Sequence, residues 1–223
     1  MEKVLHIIPT PIGNLADITL RALEILKNSD TILVEDSRVT GKLLKHYNIK
    51  SKMIRYHSFN EHKKIKKIIT EIECGKHISL VSDAGTPSIS DPGFLLIREC
   101  IRNNIQIICL PGATACIPAL VTSGLPCEKF IFEGFLPKKK RRKKILFNIM
   151  SHLKTTIIYE SPHRILKTLA EMNEICENRN IVVIKELTKL NEAVYRGTIG
   201  TVINLINKSK LKGEFVIILD GKK

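Results

Sequence analysis

The chain has 223 residues, 43% of them hydrophobic, which is enough to bury a core without disulfides or metal ions. Its six cysteines form no CxxC pair and no Cys/His cluster with zinc-finger spacing, and no apolar run is long enough for a membrane span or a signal-peptide core. We therefore expect a soluble, cytoplasmic protein without a structural metal, and the net charge of +14 predicts a polyanionic partner, nucleic acid first.

Short β-rich runs alternate with helical patterns through the first half of the chain. The strand predictions cover residues 4–8, 31–34, 78–81 and 105–110, with a weaker one at 53–56. Apolar residues at helical spacing predict helices over 18–26, 65–72 and 94–102. This alternation is typical of βαβ units and predicts a mostly parallel sheet.

The second half is less regular. A further helix is predicted to run from PGATA through Leu120, and Ser123-Gly124-Leu125-Pro126 then breaks the pattern. Strands are predicted at 130–135, 156–159, 181–185, 193–196 and 214–219, with a basic helix after the first, a helix around 165–176 and a short one before the last strand. We expect two α/β domains, residues 1–123 with a mostly parallel sheet and 124–223 with a mixed sheet.

Four loops rich in glycine or proline follow predicted strands, at residues 10–15, 82–93, 111–115 and 159–164. In parallel α/β sheets such loops collect at one edge, where ligands bind. The loop 82–93 is the most informative, because it combines two carboxylates with glycines and prolines after a buried strand. Its alternative interpretation is a surface loop of turn formers. The phosphate-binding pattern GxxxxGK[ST] and the dinucleotide pattern GxGxxG are both absent from the sequence.

Seven consecutive basic residues, 138–144, carry half of the net charge of +14. A run of this kind is either a solvated helix face or a nucleic-acid contact, and its position directly after FEGFLP at 132–137 favours the contact. The remaining charge has another explanation, since lysine, isoleucine and asparagine are abundant throughout, as under a nucleotide-composition bias.

Eight motifs occur in a fixed order along the chain. They are TPIGNL at 10–15, EDSRVTGKLL at 35–44, SDAGTPSISDPG at 82–93, PGATA at 111–115, GFLPKK at 134–139, YESPHR at 159–164, KELTK at 185–189 and GEFVI at 213–217. Together they resemble the bacterial 16S ribosomal RNA cytidine 2'-O-methyltransferases of the tetrapyrrole methylase superfamily. The resemblance covers essentially the whole chain, and eight collinear motifs are far more specific than any one of them.

This resemblance implies S-adenosylmethionine bound in a cleft between the two α/β domains and methyl transfer to a cytidine 2'-hydroxyl in the decoding region of small-subunit RNA. It also implies a homodimer, and the RNA is expected within an assembled ribosomal subunit, with naked RNA as the alternative. The cofactor contacts it assigns are Pro11, Ile12, Gly13, Asn14, Leu15, Asp83, Ala84, Gly85, Thr86, Pro87, Gly112, Ala113, Thr114, Ala115, Tyr159, Glu160, Ser161 and Phe215. For Gly13 and Gly112 simple turn geometry is the alternative.

A ribose hydroxyl is a weak nucleophile, so a base or a cation near the developing alkoxide would help the reaction. The groups considered are Glu35, Asp36, Arg38, Asn60, Glu160, Lys185 and Glu186. From these we select Lys185, Glu160 and Asp36 as catalytic candidates, with a salt bridge or a strand-end hydrogen bond as the alternative role of each. Lys185 and Glu186 alternate along a strand, so only one of them should face the cleft.

RNA contacts are expected chiefly with phosphates. The residues assigned to them are Arg38, Asn60, Lys138, Lys139, Lys140, Arg141, Arg142, Lys143, Lys144, His163 and Arg164. Aromatic residues make up only 5% of the chain, so stacking platforms for single-stranded RNA should be sparse.

The sequence departs from the family pattern at three places. Lys185 stands where arginine is usual, Asn191 where histidine is usual, and the segment that commonly follows GEFVI is missing. Two other functions stay open: a methyltransferase of the same fold that acts on a small tetrapyrrole, and a non-catalytic RNA-binding ribosome assembly factor. A hydrolase built on Ser161 and His163 is disfavoured, because the chain has no GxSxG elbow.

Overall fold

The β-rich runs of the first half form one five-stranded parallel sheet in the computed structural model, which describes residues 3–222. Its strands are β1 (Val4–Ile8), β2 (Thr31–Val34), β3 (Lys52–Arg55), β4 (Ile78–Val81) and β5 (Gln106–Cys109). The strand order is β3-β2-β4-β1-β5, and every pairing is parallel. The strands predicted at 4–8, 31–34 and 78–81 are confirmed with the same bounds.

Helices cover both faces of this sheet, because successive side chains of a strand point to opposite sides. Leu33 packs in one core cluster, whereas its neighbours Ile32 and Val34 pack in another. The first cluster includes side chains of α3 (Glu61–Glu73) and α4 (Phe94–Arg102), and the second those of α1 (Leu20–Asn28) and α2 (Ser37–His46).

The sequence analysis did not predict α2, although its signals are present. Asp36 caps the helix, because its side chain accepts a hydrogen bond from the Arg38 amide. Thr40, Leu43 and Leu44 are buried at helical spacing. The helix follows β2 directly, so it places the EDSR segment at the carboxyl edge of the sheet.

The second half of the chain forms a mixed five-stranded sheet. Its strands are β6 (Phe130–Phe135), β7 (Thr155–Glu160), β8 (Asn180–Lys185), β9 (Ala193–Thr198) and β10 (Phe215–Leu219), in the order β6-β7-β10-β8-β9. Of the pairings described in this second sheet, β6–β7 is parallel and the other three are antiparallel. One core cluster packs this sheet against α6 (Arg142–Ser151), α7 (Ile165–Ile175) and α8 (Ile199–Asn207).

The chain divides into two compact units, Met1–Thr114 and Ala115–Lys223. The sequence analysis placed the boundary between 123 and 124 instead. The difference is helix α5 (Cys116–Ser123), which contacts β8 and β10 and therefore groups with the second unit. As the sequence indicates, α5 ends at Ser123, where Gly124 adopts a left-handed φ of 71°.

The predicted fold class is confirmed: both units are α/β, the first with a parallel sheet and the second with a mixed one. No helix within residues 3–222 is long and apolar enough to cross a membrane.

Candidate functional site

Three predicted ligand loops meet at the carboxyl edge of the first sheet, because β4, β1 and β5 are neighbours there. Thr10 and Gly85 exchange two backbone hydrogen bonds of 3.0 and 2.9 Å, which join the first loop to the SDAGTP loop. The Thr86 hydroxyl donates to the Ala113 carbonyl at 3.2 Å and so joins the SDAGTP loop to PGATA. The sequence analysis predicted that these loops share one edge, and the three that lie in the first unit do.

Two glycines of these loops are required by the backbone and its packing. Gly85 has a φ of 84°, and a Cβ there would lie 3.4 Å from Ile12 Cγ2. A Cβ on Gly112 would lie only 2.7 Å from the Pro9 Cβ. Packing against Pro9 therefore explains the glycine at position 112, whether or not a ligand binds there.

The first loop is also fixed from within. The Asn14 side chain accepts from the Ala16 amide and caps a short 3-10 turn at Leu15–Asp17. Tyr47, the residue that follows α2, lies close by, and its hydroxyl donates to the Leu15 carbonyl at 2.7 Å. The loop therefore presents its backbone in one arrangement, which is what close contact with a ligand requires.

Carboxylates concentrate at the same edge. Asp83 accepts from the Asp36 amide at 3.0 Å and ties the SDAGTP loop to the start of α2. Burial, with Asp83 nearby, raises the pKa of Asp91 to about 6. Burial, together with Asp91, Asp83 and Asp36, raises the pKa of Glu35 to about 7. The edge therefore carries a negative potential that favours a ligand with positive charge or hydroxyl donors.

Asp36, a catalytic candidate from the sequence, is paired with an arginine. The Arg38 guanidinium donates to its carboxylate at 2.5 Å, and this hydrogen bond, with that of the Arg38 amide, lowers the pKa of Asp36 to about 2. A carboxylate with so low a pKa is a weak base at neutral pH. The structure therefore favours a capping role for Asp36 over a catalytic one.

A cavity of about 530 Å³ opens beside these carboxylates, after the ends of β2 and β3. The side chains that line it come from three segments of the first unit: Glu35, Asp36, Arg38, Arg55, His57, Ser58, Phe59 and Asp83. The sequence analysis assigned Arg38 to RNA but missed Arg55, His57 and Phe59. No motif marks them, and the weak strand before them gave the only signal.

Asn60, which the sequence assigned to RNA, holds this loop together. Its Oδ1 accepts from the His57 amide at 3.0 Å, and its Nδ2 donates to the Arg55 carbonyl at 3.3 Å. The same Nδ2 lies 2.9 Å from the His57 Nε2. Asn60 therefore positions two cavity residues, and its amide is already in use.

In the second unit, Glu160 is the centre of a buried ionic network. It accepts hydrogen bonds from the Arg164 guanidinium at 2.7 Å, the Ser161 amide at 2.8 Å and the Thr168 hydroxyl at 2.7 Å. Arg142 donates to that same Thr168 hydroxyl at 2.7 Å. Glu160 was predicted as a catalytic and cofactor residue, but its carboxylate oxygens are occupied by its own neighbours.

The same network corrects the prediction for Arg142. Only 5% of this residue is exposed, and its guanidinium donates to Glu171 at 2.9 Å and to the Pro137 carbonyl at 3.3 Å. Arg164 likewise donates to the Leu136 carbonyl at 2.8 Å. The two arginines thus hold the segment before the basic run, rather than offering their charge to a phosphate.

The other six basic residues of the run are exposed, and we call them the basic turn: Lys138, Lys139, Lys140, Arg141, Lys143 and Lys144. Arg141 adopts a left-handed φ of 64° immediately before α6, so the run bends and is not one continuous helix. His163, in the loop before α7, is exposed as well.

Lys185 and Phe215 are both buried within the second unit. Lys185 is 8% exposed, and its amine donates to the Lys210 carbonyl at 2.6 Å. The Phe215 side chain belongs to the core cluster, and the Tyr159 ring packs edge-on against Phe132 with centroids 5.0 Å apart. The amine of Lys185 therefore already has a partner, which argues against its selection as the catalytic cation.

Comparisons with known proteins agree over nearly the whole chain. The family model described as Tetrapyrrole (Corrin/Porphyrin) Methylases matches residues 4–203. A protein named ribosomal RNA small subunit methyltransferase I from Synechocystis is 44% identical, over 98% of this chain and 79% of its own length. A protein of the same name from Thermotoga maritima is 42% identical, over 98% of this chain and 99% of its own length.

Solved structures with this fold include a cobalt precorrin-4 methyltransferase of cobalamin biosynthesis, with a TM-score of 0.73 and 18% identity over 98% of this chain and 95% of that one. Diphthine synthase superimposes with a TM-score of 0.77 and 14% identity, over 97% of this chain and 90% of its own. At such identities these structures support the fold alone.

The buried network gives a stability prediction. Glu160→Gln removes the carboxylate that faces Arg164 and Arg142, and we expect it to destabilise the protein by about 3 kcal/mol, because buried cations lose their partner. Thermal unfolding should show a fall in Tm of roughly 6–12 °C. Glu174→Gln, on the exposed side of α7, is the matched control and should change stability by less than about 0.5 kcal/mol. Equal Tm changes in both variants would contradict the network.

Proposed function

Because this chain belongs to the tetrapyrrole (corrin/porphyrin) methylase family, we propose that it methylates small-subunit ribosomal RNA with S-adenosylmethionine. The specific product is a 2'-O-methylated cytidine in the decoding region of the 16S RNA. The observation that carries the proposal is the 42–44% identity to the methyltransferases above, over nearly the whole chain. The basic turn is a second support, because phosphates are its natural ligand.

The loops of the first unit fit the cofactor by the chemistry of their groups. S-adenosylmethionine carries a positive sulfonium and a ribose with two hydroxyl donors. Asp83 and Asp91 supply negative potential and acceptors, and loops 11–15, 83–87 and 112–114 supply backbone groups that their mutual hydrogen bonds hold in place. When bound, the cofactor supplies an activated methyl group. Ala115, Tyr159, Ser161 and Phe215 stay predicted contacts from the resemblance.

In such a transfer the protein positions the methyl donor and the ribose hydroxyl, excludes water from them and accepts the hydroxyl proton. Displacement at the methyl carbon requires the hydroxyl oxygen to approach in line with the breaking bond, so much of the rate comes from fixed geometry. A base that accepts the hydroxyl proton adds to this. Glu160 and Lys185 are already hydrogen-bonded inside the second unit, so a residue other than these must serve as base.

The basic turn supports an RNA substrate over a small tetrapyrrole. Lys143 and Lys144 lie in the first turn of α6, where no acidic residue balances them. Cations at a helix N-terminus oppose the helix dipole, at a cost of about 0.3–1 kcal/mol each. Charges placed at some cost to folding suit a phosphate backbone, which they would bind without reading sequence. The homodimer, the assembled subunit as substrate and the cytoplasmic location stay predictions.

The reaction is tested by transfer of labelled methyl from S-adenosylmethionine to small subunits from cells that lack this protein. We expect label at a single cytidine 2'-oxygen, located by mapping of the modified ribose. Subunits from cells that contain the protein are the control and should accept no label at that site. Cofactor binding without transfer would favour the small-tetrapyrrole alternative. Loss of both would favour an assembly factor without catalysis.

The cofactor loops are tested by Asp83→Ala. We expect its affinity for S-adenosylmethionine to fall roughly 10-fold to 100-fold, because a hydrogen bond to a charged group is lost and the link to the Asp36 amide is broken. Calorimetry measures the affinity without any need for RNA. Glu24→Gln, an exposed carboxylate on α1, should bind as the wild type does. Unchanged affinity in the Asp83 variant would remove this loop from the cofactor site.

The basic turn is tested by replacing Lys138, Lys139 and Lys140 with glutamine. We expect weaker binding to small-subunit RNA and a salt dependence whose logarithmic slope is shallower by about 2. The control replaces Lys27, Lys45 and Lys50, which are also exposed, and so removes the same net charge elsewhere. Equal losses in the two variants would show that net charge alone, and not the basic turn, accounts for the affinity.

A further inference from the structure

The cavity after β2 and β3 has the size and the mixed lining of a nucleotide site. Its volume of about 530 Å³ lies within the usual range of small-molecule sites. An aromatic ring, two guanidiniums, an imidazole and carboxylates all face one space of the first unit. None of Glu35, Arg55, His57 and Phe59 has a part in the cofactor loops as proposed above.

Phe59 is the most exposed aromatic side chain of the described residues, with 94% of its surface in solvent. It contacts the His57 ring edge-on, with centroids 6.1 Å apart, and leaves most of its own ring uncovered. Exposing a large apolar ring costs free energy that the fold does not recover. A nucleobase stacked on the ring would cover it, as aromatic side chains do in single-stranded RNA sites.

Basic residues lie on the same cavity and on the helix that follows it. Arg55 lines the cavity and donates to the Ser37 hydroxyl at 3.3 Å, while the Lys64 amine donates to the Arg55 carbonyl. The neighbouring lysines of α3, Lys63, Lys66 and Lys67, are exposed. This second group of positive charge lies in the first unit, distinct from the basic turn, and would bind the phosphates on either side of a nucleotide.

His57 supplies an unused donor at the same place. Because the Asn60 Oδ1 accepts from the His57 amide, its Nδ2 faces the His57 Nε2 and donates to it. The imidazole proton therefore belongs on Nδ1, which is buried and has no hydrogen-bond partner among residues 3–222. A buried donor without a partner is unfavourable, so a small shift of the ring that exposed it to an acceptor on a ligand would be favourable.

Glu35 is the one carboxylate at the cavity that has neither a hydrogen bond nor an ion pair within residues 3–222. It follows β2 directly and is partly buried. Asp91, Asp83 and Asp36 act on its charge, and Arg38, Arg55 and His57 line the same cavity. With a pKa raised to about 7, Glu35 accepts a proton near neutral pH far more readily than Asp36.

Asp83 connects this cavity to the cofactor loops. It lines the cavity and also belongs to the SDAGTP loop, whose backbone is paired with Thr10 through Gly85. A ligand in the cavity would therefore lie directly beside a methyl donor held by that loop. This is the position that an acceptor requires for in-line transfer.

We infer that this cavity receives the acceptor nucleotide of the RNA, with its base stacked on Phe59, its phosphates near Arg55, and its ribose hydroxyl against Glu35. The inference rests on the proposed RNA methylation and names the acceptor site for it. The hydroxyl oxygen forms a bond to the methyl carbon as the bond from that carbon to sulfur breaks. The sulfur keeps the electron pair, and the hydroxyl proton passes to the Glu35 carboxylate.

Glu35→Gln tests the base. We expect kcat to fall roughly 10²-fold to 10⁴-fold with KM for RNA changed by less than about 3-fold. Wild-type kcat should rise with pH and level off above a pKa near 7, because the ionised carboxylate is the active form. The variant should lose this rise, and Glu35→Asp should recover part of the rate and keep a rise with pH.

Matched controls separate this effect from a change in folding. Glu24→Gln, on the exposed face of α1, should keep the wild-type kcat and pH profile. The Tm of Glu35→Gln at pH 8 should not fall, because the substitution removes a negative charge from a group of carboxylates. Wild-type kcat and an unchanged pH profile in Glu35→Gln would overturn the assignment of the base.

Phe59→Ala tests the stacking platform. We expect KM for RNA to rise roughly 5-fold to 100-fold while the affinity for S-adenosylmethionine stays the same, and Phe59→Trp should bind RNA normally. Phe147→Ala, a phenylalanine of α6 that is 67% exposed, is the matched control and should have no effect. An unchanged KM in Phe59→Ala would overturn the stacking assignment.

These outcomes separate the acceptor site from the proposed function. If the wild type labels no RNA, both proposals fall. If the wild type labels a single ribose and the variants of Glu35 and Phe59 match it, RNA methylation stands and the cavity is not the acceptor site.

Discussion

Two backbone hydrogen bonds between Thr10 and Gly85 hold together the part of the first unit on which the rest of the site depends. They form because β1 and β4 are parallel neighbours, so the loops after them leave the sheet side by side. The left-handed φ of Gly85 lets the SDAGTP loop approach Thr10, and Asp83 then reaches the Asp36 amide. One pair of hydrogen bonds therefore sets the positions of the loops proposed to hold the cofactor and of one wall of the cavity.

The carboxylates at this edge differ in role because their partners differ. Asp36 is paired with Arg38, so its proton is lost easily and its charge serves to cap α2. Glu35, the preceding residue, has burial and like charges around it and no cation bound to it, so it holds its proton to a much higher pH. Adjacent residues of the same acidic type thus receive opposite pKa shifts, and only the raised one suits the base proposed above.

The second unit divides a single basic run in a similar way. Arg142 and Arg164 turn inward to Glu160 and Glu171, where each guanidinium also binds a carbonyl of the segment 136–137. The remaining cations point outward from a bend that this network holds in place. These two arginines therefore hold in place the segment from which the basic turn begins. Holding two guanidiniums inside the unit is tolerable because each of their nitrogens has an acceptor.

The sequence by itself determined the strands, the parallel and mixed sheets, the loops that meet at one edge and the family. Each follows from local periodicity or from motifs in order along the chain. It did not separate Arg142 from its neighbours, and it gave no sign that Arg55, His57 and Phe59 share a cavity with Glu35. Only the tertiary structure decided these points, and also that α5 groups with the second unit. The reason is physical: burial and pKa depend on partners distant in sequence, such as Glu171, 29 residues from Arg142, and local pattern carries no record of them.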